Sequence, residues 1–320
     1  MSIRVLVSTL AITTALAQSA PWNADFIHAT VDSLAAVVNK EYFDPAVAGR
    51  VAASLTALKT SGRLDNAASP DSLAALLNTQ LFALTKDKHL RIAVVRKAPP
   101  VPAGAPAPAV SPGRDRPTNA GFARVEVLPD KIGVLEMTVF LRPVEHRDAI
   151  ASAMETLEPA QALIIDMRNN GGGSPATIAL LMSYLFDEPD LPLFDIIPRD
   201  GDVDTYKTEP AATVLPRNGK RPIFILTSAK SFSGGEGFPY LMQERKRATI
   251  IGARTAGAAN PGRPYPVNDL FEVTVPNGQI SSAIKHGNWE GDGVAPDVTV
   301  PADQAFDVAL ERARAAIKSR

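Results

Sequence analysis

Apolar residues recur at helical spacing through the first part of the chain, between residues 24 and 86. Asn23, Asp44 and Ser69 each precede one such amphipathic stretch, and these residue types accept hydrogen bonds from the first amide groups of a helix. A proline follows the last two, which suits the first helical position. The pattern predicts three short helices, and hence a small helical subdomain over residues 21–96.

From about residue 121 onward, apolar runs of strand length alternate with helical periodicity. Ala162–Met167 is continuously apolar apart from one acid, as expected of a buried central strand. This alternation predicts a mixed α/β core over residues 119–320. The other predicted strands are Val125–Leu128, Ile132–Val139, Ile223–Thr227 and Ala248–Gly252. The predicted helices are Val144–Leu157, Pro175–Phe186, Gly234–Arg245 and Asp303–Lys318.

Two further apolar runs, Phe271–Val275 and Ile280–Ile284, flank the sequence Pro-Asn-Gly-Gln. Asn-Gly tolerates positive φ at both central positions of a tight turn. The two runs are therefore predicted to pair as a β-hairpin.

Residues 97–118 are rich in proline and alanine and are predicted to be an extended linker or long surface loop. The N-terminus has one charge, Arg4, before an apolar stretch of about 12 residues, which is too short to span a membrane. Ala15-Leu16-Ala17 fits the small-x-small cleavage pattern of a secretory signal. We therefore expect a signal peptide over residues 1–17, with cleavage after Ala17 or Ala20, no integral membrane segment after cleavage, and a periplasmic or secreted protein.

The composition of the chain limits the kinds of catalytic and binding site that it can form. A formal net charge of −1 gives no basic surplus for nucleic acid, and the absence of cysteine excludes thiol nucleophiles, disulfides and thiolate metal sites. The chain has four histidines and no His-Glu-x-x-His pattern, so we expect neither a metal nor a cofactor. The sequence leaves the oligomeric state open.

Ser233 is a candidate nucleophile. It follows the predicted strand Ile223–Thr227 and precedes a predicted helix, whose N-terminus offers unpaired amide groups for an oxyanion. Gly234 would let a substrate backbone approach closely. From local pattern alone Ser233 fits a helix N-cap slightly better than a nucleophile, and Ser228 and Ser231 compete at the same turn.

Three glycines, Gly171, Gly172 and Gly173, follow the predicted central strand. Such a loop can turn sharply and direct amide groups into a site, although a glycine triplet alone also fits a simple turn. No Gly-Lys-Ser/Thr follows it, so it is not a phosphate-binding Walker loop.

A serine nucleophile needs a base, and His89 is one candidate because it lies where a helix gives way to a strand. His286 is the alternative, while His28 and His146 fall on predicted helices. A carboxylate should orient the histidine, and Glu290 lies in a glycine-rich loop that could fix it. Asp292 and Asp297 are its rivals in the same loop, and at this stage neither choice is settled.

Taken together, these segments resemble one family, which comprises the C-terminal processing (tail-specific) proteases, the tricorn protease core and the interphotoreceptor retinoid-binding protein modules. The resemblance covers most of the chain after the predicted signal, and its segments occur in the family's order. It implies a catalytic core of the crotonase-like, tail-specific-protease type behind a helical N-terminal subdomain. The matching segments are Asp87–Leu90, Leu163–Gly173, Thr227–Glu236, Thr249–Gly257 and Gly293–Asp297.

The resemblance also implies a branch of the family. Tail-specific members use a Ser/Lys dyad, but no lysine lies between Lys246 and Lys285 here. The histidine-dependent branch implies Ser233 as nucleophile, His89 as base and Glu290 as its partner. It further implies oxyanion donors from Gly234 and from the loop of Gly171, Gly172 and Gly173.

Two departures qualify the resemblance. Lys88 stands where tricorn-like members have a serine that relays from the histidine to the glutamate, and the proline-rich linker occupies the place of a PDZ-like insert. The resemblance implies a serine-type peptidase acting on peptide or protein substrates. The alternatives are a non-catalytic module that binds hydrophobic ligands and an esterase or amidase that uses the same site.

Overall fold

The computed structural model describes residues 22–96, 121–210, 213–214 and 217–320. The predicted signal segment and the proline-rich linker lie outside the described residues.

The predicted helices form close to their expected bounds. Asn23, Asp44 and Ser69 accept hydrogen bonds from the first turns of the three N-terminal helices, which confirms all three caps. The helices of the described residues are α1 (Ala24–Glu41), α2 (Pro45–Thr60), α3 (Pro70–Thr85), α4 (Pro143–Thr156), α5 (Pro175–Leu185), α6 (Gly234–Glu244) and α7 (Ala305–Lys318).

The strands include the five predicted from residues 125 to 252, each within a few residues of its expected bounds. Short strands on less regular sequence add to them. The strands are β1 (Arg91–Val94), β2 (Phe122–Val127), β3 (Ile132–Met137), β4 (Ala162–Asp166), β5 (Pro192–Pro198), β6 (Asp204–Lys207), β7 (Ile223–Thr227), β8 (Thr249–Gly252), β9 (Gly262–Pro266), β10 (Phe271–Pro276), β11 (Gly278–Ser282) and β12 (Val298–Thr299).

The largest sheet has the order β12-β8-β7-β4-β3-β2, with every neighbouring pair parallel except β2 and β3. All five residues of β4 and of β7 are buried, because helices cover both faces of these central strands. The mixed α/β class is confirmed. Since β4 and β7 are parallel neighbours, the loops that follow their carboxyl ends meet at one edge of the sheet.

The predicted hairpin between β10 and β11 is wrong. β10 pairs with β1 and β9, whereas β11 pairs with β5 in another sheet. Asn277 donates its amide hydrogen to Pro261 instead of closing a turn, and Gly278 does not adopt positive φ. The chain therefore runs from one small sheet into the next, because the two strands bury their apolar faces in different cores.

The helical part shares its core with the rest of the chain. Buried residues of α1, α2 and α3 pack on β1 and on the apolar face of β10 in one hydrophobic cluster. Two links reinforce this contact: Phe43 donates its amide hydrogen to Pro276, and the guanidinium of Arg199 donates to the carbonyl groups at the end of α1. This packing places the segment after α3 beside the carboxyl edge of the large sheet.

Within the described residues, none of the helices combines the length and the apolar character that a membrane crossing requires.

Candidate active site

Ser233 lies in a strained turn between β7 and α6, with φ 53° and ψ −122°. A left-handed φ is uncommon for a residue other than glycine and is found at strand-to-helix turns that present a nucleophile. The rival hydroxyls have structural partners, since Ser228 donates to Arg168 O (2.6 Å) and Ser231 donates to Met167 O (2.7 Å). Ser233 is thus the serine of this turn whose side chain lines a cavity.

The glycine loop contacts this turn directly. Gly172 has φ 98°, and a Cβ placed on it would lie 2.7 Å from Ser233 Cβ and 2.9 Å from Gly234 N. A Cβ on Gly234 would in turn lie 3.3 Å from Gly173 N. No side chain fits at Gly172, so the glycine is required by close approach as well as by backbone angle.

The amide groups of the loop are not equivalent. Gly171 donates to Thr138 O (3.0 Å) and Gly172 donates to Asn170 Oδ1 (2.8 Å). Across the described part of the chain, Gly173 and Gly234 have no acceptor for their N–H groups. These two amides lie on adjacent segments next to Ser233 and are free to bind an anion.

Glu236 is fully buried, and its carboxylate holds the turn at Ser233 in place. One carboxylate oxygen accepts from the amides of Ser233 (3.0 Å) and Ala258 (2.9 Å), and the other accepts from Gly257 N and Thr255 Oγ1 (both 2.5 Å). Burial raises the pKa of this carboxyl, and the hydrogen bonds oppose that rise. Ser233 and Glu236 have the Ser-x-x-Glu spacing of a capping box, which is the sequence signal that could have revealed this residue.

His89 is held two residues beyond a buried aspartate. Its amide donates to Asp87 Oδ1 (2.9 Å), and its ring packs on Phe232 with centroids 4.9 Å apart. Nδ1 is buried and has no hydrogen-bond partner among the described residues, and the ring also lines the cavity that Ser233 lines. Burial lowers the pKa of His89, while the charge of Asp87 opposes this shift, so the imidazole is disposed to be neutral and able to accept a proton.

Glu290 lies beside His89. Its Oε2 accepts from the amides of Ala259 (2.6 Å) and Asn260 (3.1 Å), whereas Oε1 is buried and finds no partner in the part of the chain that the structure describes. Burial and, after it, the neighbouring charge of Asp87 together raise the pKa of Glu290 to about 7. One ring nitrogen of His89 and one oxygen each of Asp87 and Glu290 lie within 4.8 Å of one another.

The other sequence candidates lie elsewhere. His286 is exposed on a turn after β11, and His28 contacts Asp65 on the helical part (2.8 Å). His146 lies on α4. Among the rival acids, Asp292 is exposed, and Asp297 accepts from the amide of Ile250 (2.7 Å) and so serves the sheet.

The cavity beside Ser233 has a volume of about 310 Å³. Apart from His89 and Ser233, its walls are glycine, alanine, proline or large apolar side chains. The large apolar residues are Ile178, Phe194, Leu241, Ile280 and Trp289.

Asp87 is the residue of this cluster that the sequence did not single out. It lies in a Lys-Asp-Lys run that is typical of a solvated turn, yet its side chain is 1% exposed. Lys88, at the place of the relay serine, turns its ammonium group to Ala256 O and does not join the cluster. The spacing Asp-x-His was the only local signal for Asp87.

Two family models match the chain. The model of peptidase family S41 matches residues 131–300, and that of the N-terminal domain of this family in eukaryotic interphotoreceptor retinoid-binding protein matches residues 17–127. A tail-specific protease of Haemophilus influenzae is 29% identical over 153 residues, covering 45% of this chain and 21% of its own length. A carboxyl-terminal-processing protease of Synechocystis is 24% identical over 177 residues, covering 51% and 39%. The chain thus spans well under half the length of these curated relatives.

Solved structures share the fold. A putative peptidase from Parabacteroides merdae superposes with a TM-score of 0.62 at 17% identity, covering 90% of this chain and 96% of that one. The tricorn protease gives 0.59 at 15% identity, covering 92% and 37%. The photosystem II D1 C-terminal processing protease gives 0.51 at 15% identity, covering 87% and 94%.

Proposed function

The chain belongs to peptidase family S41, and we propose that it is a serine peptidase with Ser233 as nucleophile, His89 as general base and Glu290 as the carboxylate that orients the histidine. The observation that carries this proposal is the shared cavity. Ser233 and His89 both line it. Gly173 and Gly234, whose amide groups are free, line the same cavity next to Ser233. Nucleophile, base and anion donors therefore converge on one place where a carbonyl group can bind.

The reaction is acyl transfer in two halves. Ser233 Oγ attacks the peptide carbonyl carbon while His89 takes the hydroxyl proton, and the C–N bond then breaks as His89 gives this proton to the leaving amine. Water repeats the sequence on the acyl-enzyme, so that His89 takes a proton from water and returns it to Ser233. No electron acceptor or cofactor enters the balance.

Glu290 stabilises the imidazolium that forms in each half. Within residues 22–96, 121–210, 213–214 and 217–320, its Oε1 and the Nδ1 of His89 are the two buried side-chain polar atoms of Asp87, His89 and Glu290 that lack partners. A hydrogen bond from Nδ1 to Oε1 would satisfy both atoms and fix the tautomer that leaves Nε2 free for the serine proton. Lys88 directs its ammonium group to Ala256 O and offers no relay hydroxyl, so in the proposed mechanism Glu290 acts on His89 directly.

The amides of Gly173 and Gly234 are the proposed oxyanion donors. Within the loop of Gly171, Gly172 and Gly173, the first two amides are engaged in the fold. Gly234 is the first residue of α6, where the helix dipole adds to the field at the developing negative charge.

The cavity favours substrates with a large apolar side chain at the residue whose carbonyl is attacked (P1). Its large walls are apolar, and a charged side chain would enter it without a partner. The proposed substrates are therefore peptides or proteins that expose such residues. We also propose export to the periplasm or outside the cell, on the basis of the N-terminal segment; N-terminal sequencing of the protein recovered from cell fractions tests this.

Labelling with a fluorophosphonate, followed by mass spectrometry of the peptides, tests the nucleophile. We expect one adduct, on Ser233, that is absent from the Ser233→Ala variant and from heat-denatured protein. The adduct should form much more slowly in His89→Ala, because a general base contributes about 10²–10⁴-fold. An adduct on Ser228 or Ser231 would contradict the assignment.

The labelling experiment and a peptide-library digest together distinguish the alternative functions. A module that only binds hydrophobic ligands should give no adduct, and an esterase or amidase should react with the probe but spare a peptide library. Because Asp87, His89 and Glu290 could also hold a metal ion, both assays are repeated in EDTA. The proposed reaction proceeds unchanged there, whereas loss of activity that Zn²⁺ restores would indicate a metal centre.

A further inference from the structure

Asp87 is a buried carboxylate that the reaction above leaves without a role. Its side chain is 1% exposed, so its charge must be compensated by hydrogen bonds. It has three such donors: the hydroxyl of Tyr42 (3.3 Å), the side-chain amide of Asn260 (3.2 Å) and the backbone amide of His89 (2.9 Å). These donors come from the end of α1, from the loop before β9 and from the segment that carries the base.

The local backbone directs Asp87 into the site. Lys86 adopts φ 59° and ends α3, and the amide of Asp87 then donates to Thr85 Oγ1 (3.1 Å). The side chain folds forward so that Oδ1 binds the amide of His89 and lies 4.0 Å from its Nδ1. The backbone that bears the imidazole is thereby tied to the same carboxylate that faces the ring.

The charges around the imidazole come mainly from two acids. Asp87 and Glu290 both lie beside the ring of His89. The negative charge of Glu236, which is buried at the turn that carries Ser233, helps to raise the pKa of Glu290. Tyr42 faces Asp87 as a neutral hydroxyl because burial raises its pKa. Lys88 is the nearby cation in sequence, but its ammonium group is directed to Ala256 O. An imidazolium formed during the reaction would thus lie close to two carboxylates.

We propose that Asp87 is a positioning residue for His89: its carboxylate anchors the backbone of the histidine and supplies a second negative charge beside the imidazolium. This inference rests on the proposed serine peptidase function. In the proposed reaction Glu290 takes up the hydrogen bond from Nδ1, whereas Asp87 fixes where the ring lies and stabilises its protonated form. Asp87 therefore acts through His89 and touches neither substrate nor the reacting atoms.

The test is the pH profile of the full-length Asp87→Asn variant. Asparagine keeps the size of the side chain and an acceptor for the His89 amide but removes the charge. Because the charge of Asp87 favours the protonated forms of both His89 and Glu290, its removal should move the acid limb of kcat/KM to lower pH. We expect kcat to fall by about tenfold or more, with KM nearly unchanged.

The matched control is Asp65→Asn, which removes a carboxylate that also contacts a histidine, His28, on the exposed surface of the helical part. Its profile should superimpose on that of the wild type. The inference is overturned if Asp87→Asn keeps wild-type activity, or if it loses activity while its acid limb stays in place, as a purely structural role would produce.

A second variant covers the case in which Asp87→Asn does not fold. Tyr42→Phe removes one donor to Asp87 and leaves the carboxylate in place, and it should lower kcat by about threefold or more at constant KM. An unchanged kcat would overturn the inference. Failure of the proposed function itself is recognised separately, because the wild type would then neither cleave peptides nor form a Ser233 adduct.

Discussion

Gly172 and Ser233 lie so close together that a Cβ on the glycine would be 2.7 Å from the Cβ of the serine. The same atom would be 2.9 Å from Gly234 N, a proposed oxyanion donor. Gly172→Ala should therefore displace the proposed nucleophile and one proposed donor together. We expect kcat to fall by about 10²–10³-fold, the loss that follows removal of an oxyanion donor, in assays of peptide cleavage.

Gly171→Ala is the matched control for this prediction. A Cβ on Gly171 would meet no atom of the described residues within 4 Å, and the φ of Gly171 is not positive. The control should keep its activity, and both variants should show a cooperative melting transition. Equal activity of the two variants would mean that the loop does not shape the site.

The two histidine candidates separate in a direct comparison. His89 lines the cavity with Ser233, whereas His286 is exposed on a turn. His89→Ala should lose about 10²–10⁴-fold in kcat, as expected for loss of a general base, while His286→Ala should stay near the wild type. A large loss in His286→Ala with an intact His89→Ala would reverse the assignment of the base.

The sequence predicted those features that local interactions control. Asn23, Asp44 and Ser69 each cap a helix whatever the rest of the chain does, so both the caps and the helices were predictable. The Asn277-Gly278 turn was not, because its outcome depends on which sheet each flanking strand joins. A turn signal carries no information about such distant partners.

The chemistry of the site was predictable only in part. Three serines crowd the turn between β7 and α6, and local pattern could not choose among them. The proposal of Ser233 is supported by remote acceptors, Arg168 O and Met167 O, which engage Ser228 and Ser231. Asp87 was overlooked for a similar reason, since Asn260 lies 173 residues away in sequence.

The apolar cavity predicts substrate preference. Peptides with leucine or phenylalanine at P1 should exceed those with aspartate or lysine by at least about tenfold in kcat/KM, since each methylene in an apolar pocket contributes about 1–3 kcal/mol. Ile280→Ala should weaken the preference for leucine and favour larger side chains, because Ile280 lines the cavity. Ile284→Ala, the same substitution at an exposed position, is the control. The predicted preference is wrong if the main cleavages in a peptide library follow charged residues at P1.

The Glu290→Gln substitution should lower activity without lowering the stability of the fold. The proposed reaction needs the ionised carboxylate, and burial is the main cause that raises the pKa of Glu290 to about 7. Wild-type activity should therefore rise as the pH passes through this value. Glutamine cannot ionise, so the variant should have a lower kcat and an acid limb governed by His89 alone, at lower pH. A profile of kcat/KM identical to that of the wild type would remove Glu290 from the mechanism.

The same variant should be more stable than the wild type at alkaline pH. A carboxyl whose pKa in the folded state is raised above its ordinary value of 4.5 stabilises the fold when protonated, and this contribution is lost as the pH rises through about 7. Glutamine resembles the protonated form at every pH. The stability difference should be near zero at pH 4 and grow to about 1–3 kcal/mol in favour of the variant by pH 8, because solvent screening of the half-buried carboxyl reduces the roughly 1.4 kcal/mol that each pKa unit represents. Urea unfolding at both pH values measures it, and a variant that is less stable than the wild type at pH 8 would show that Glu290 is not held as a strained anion.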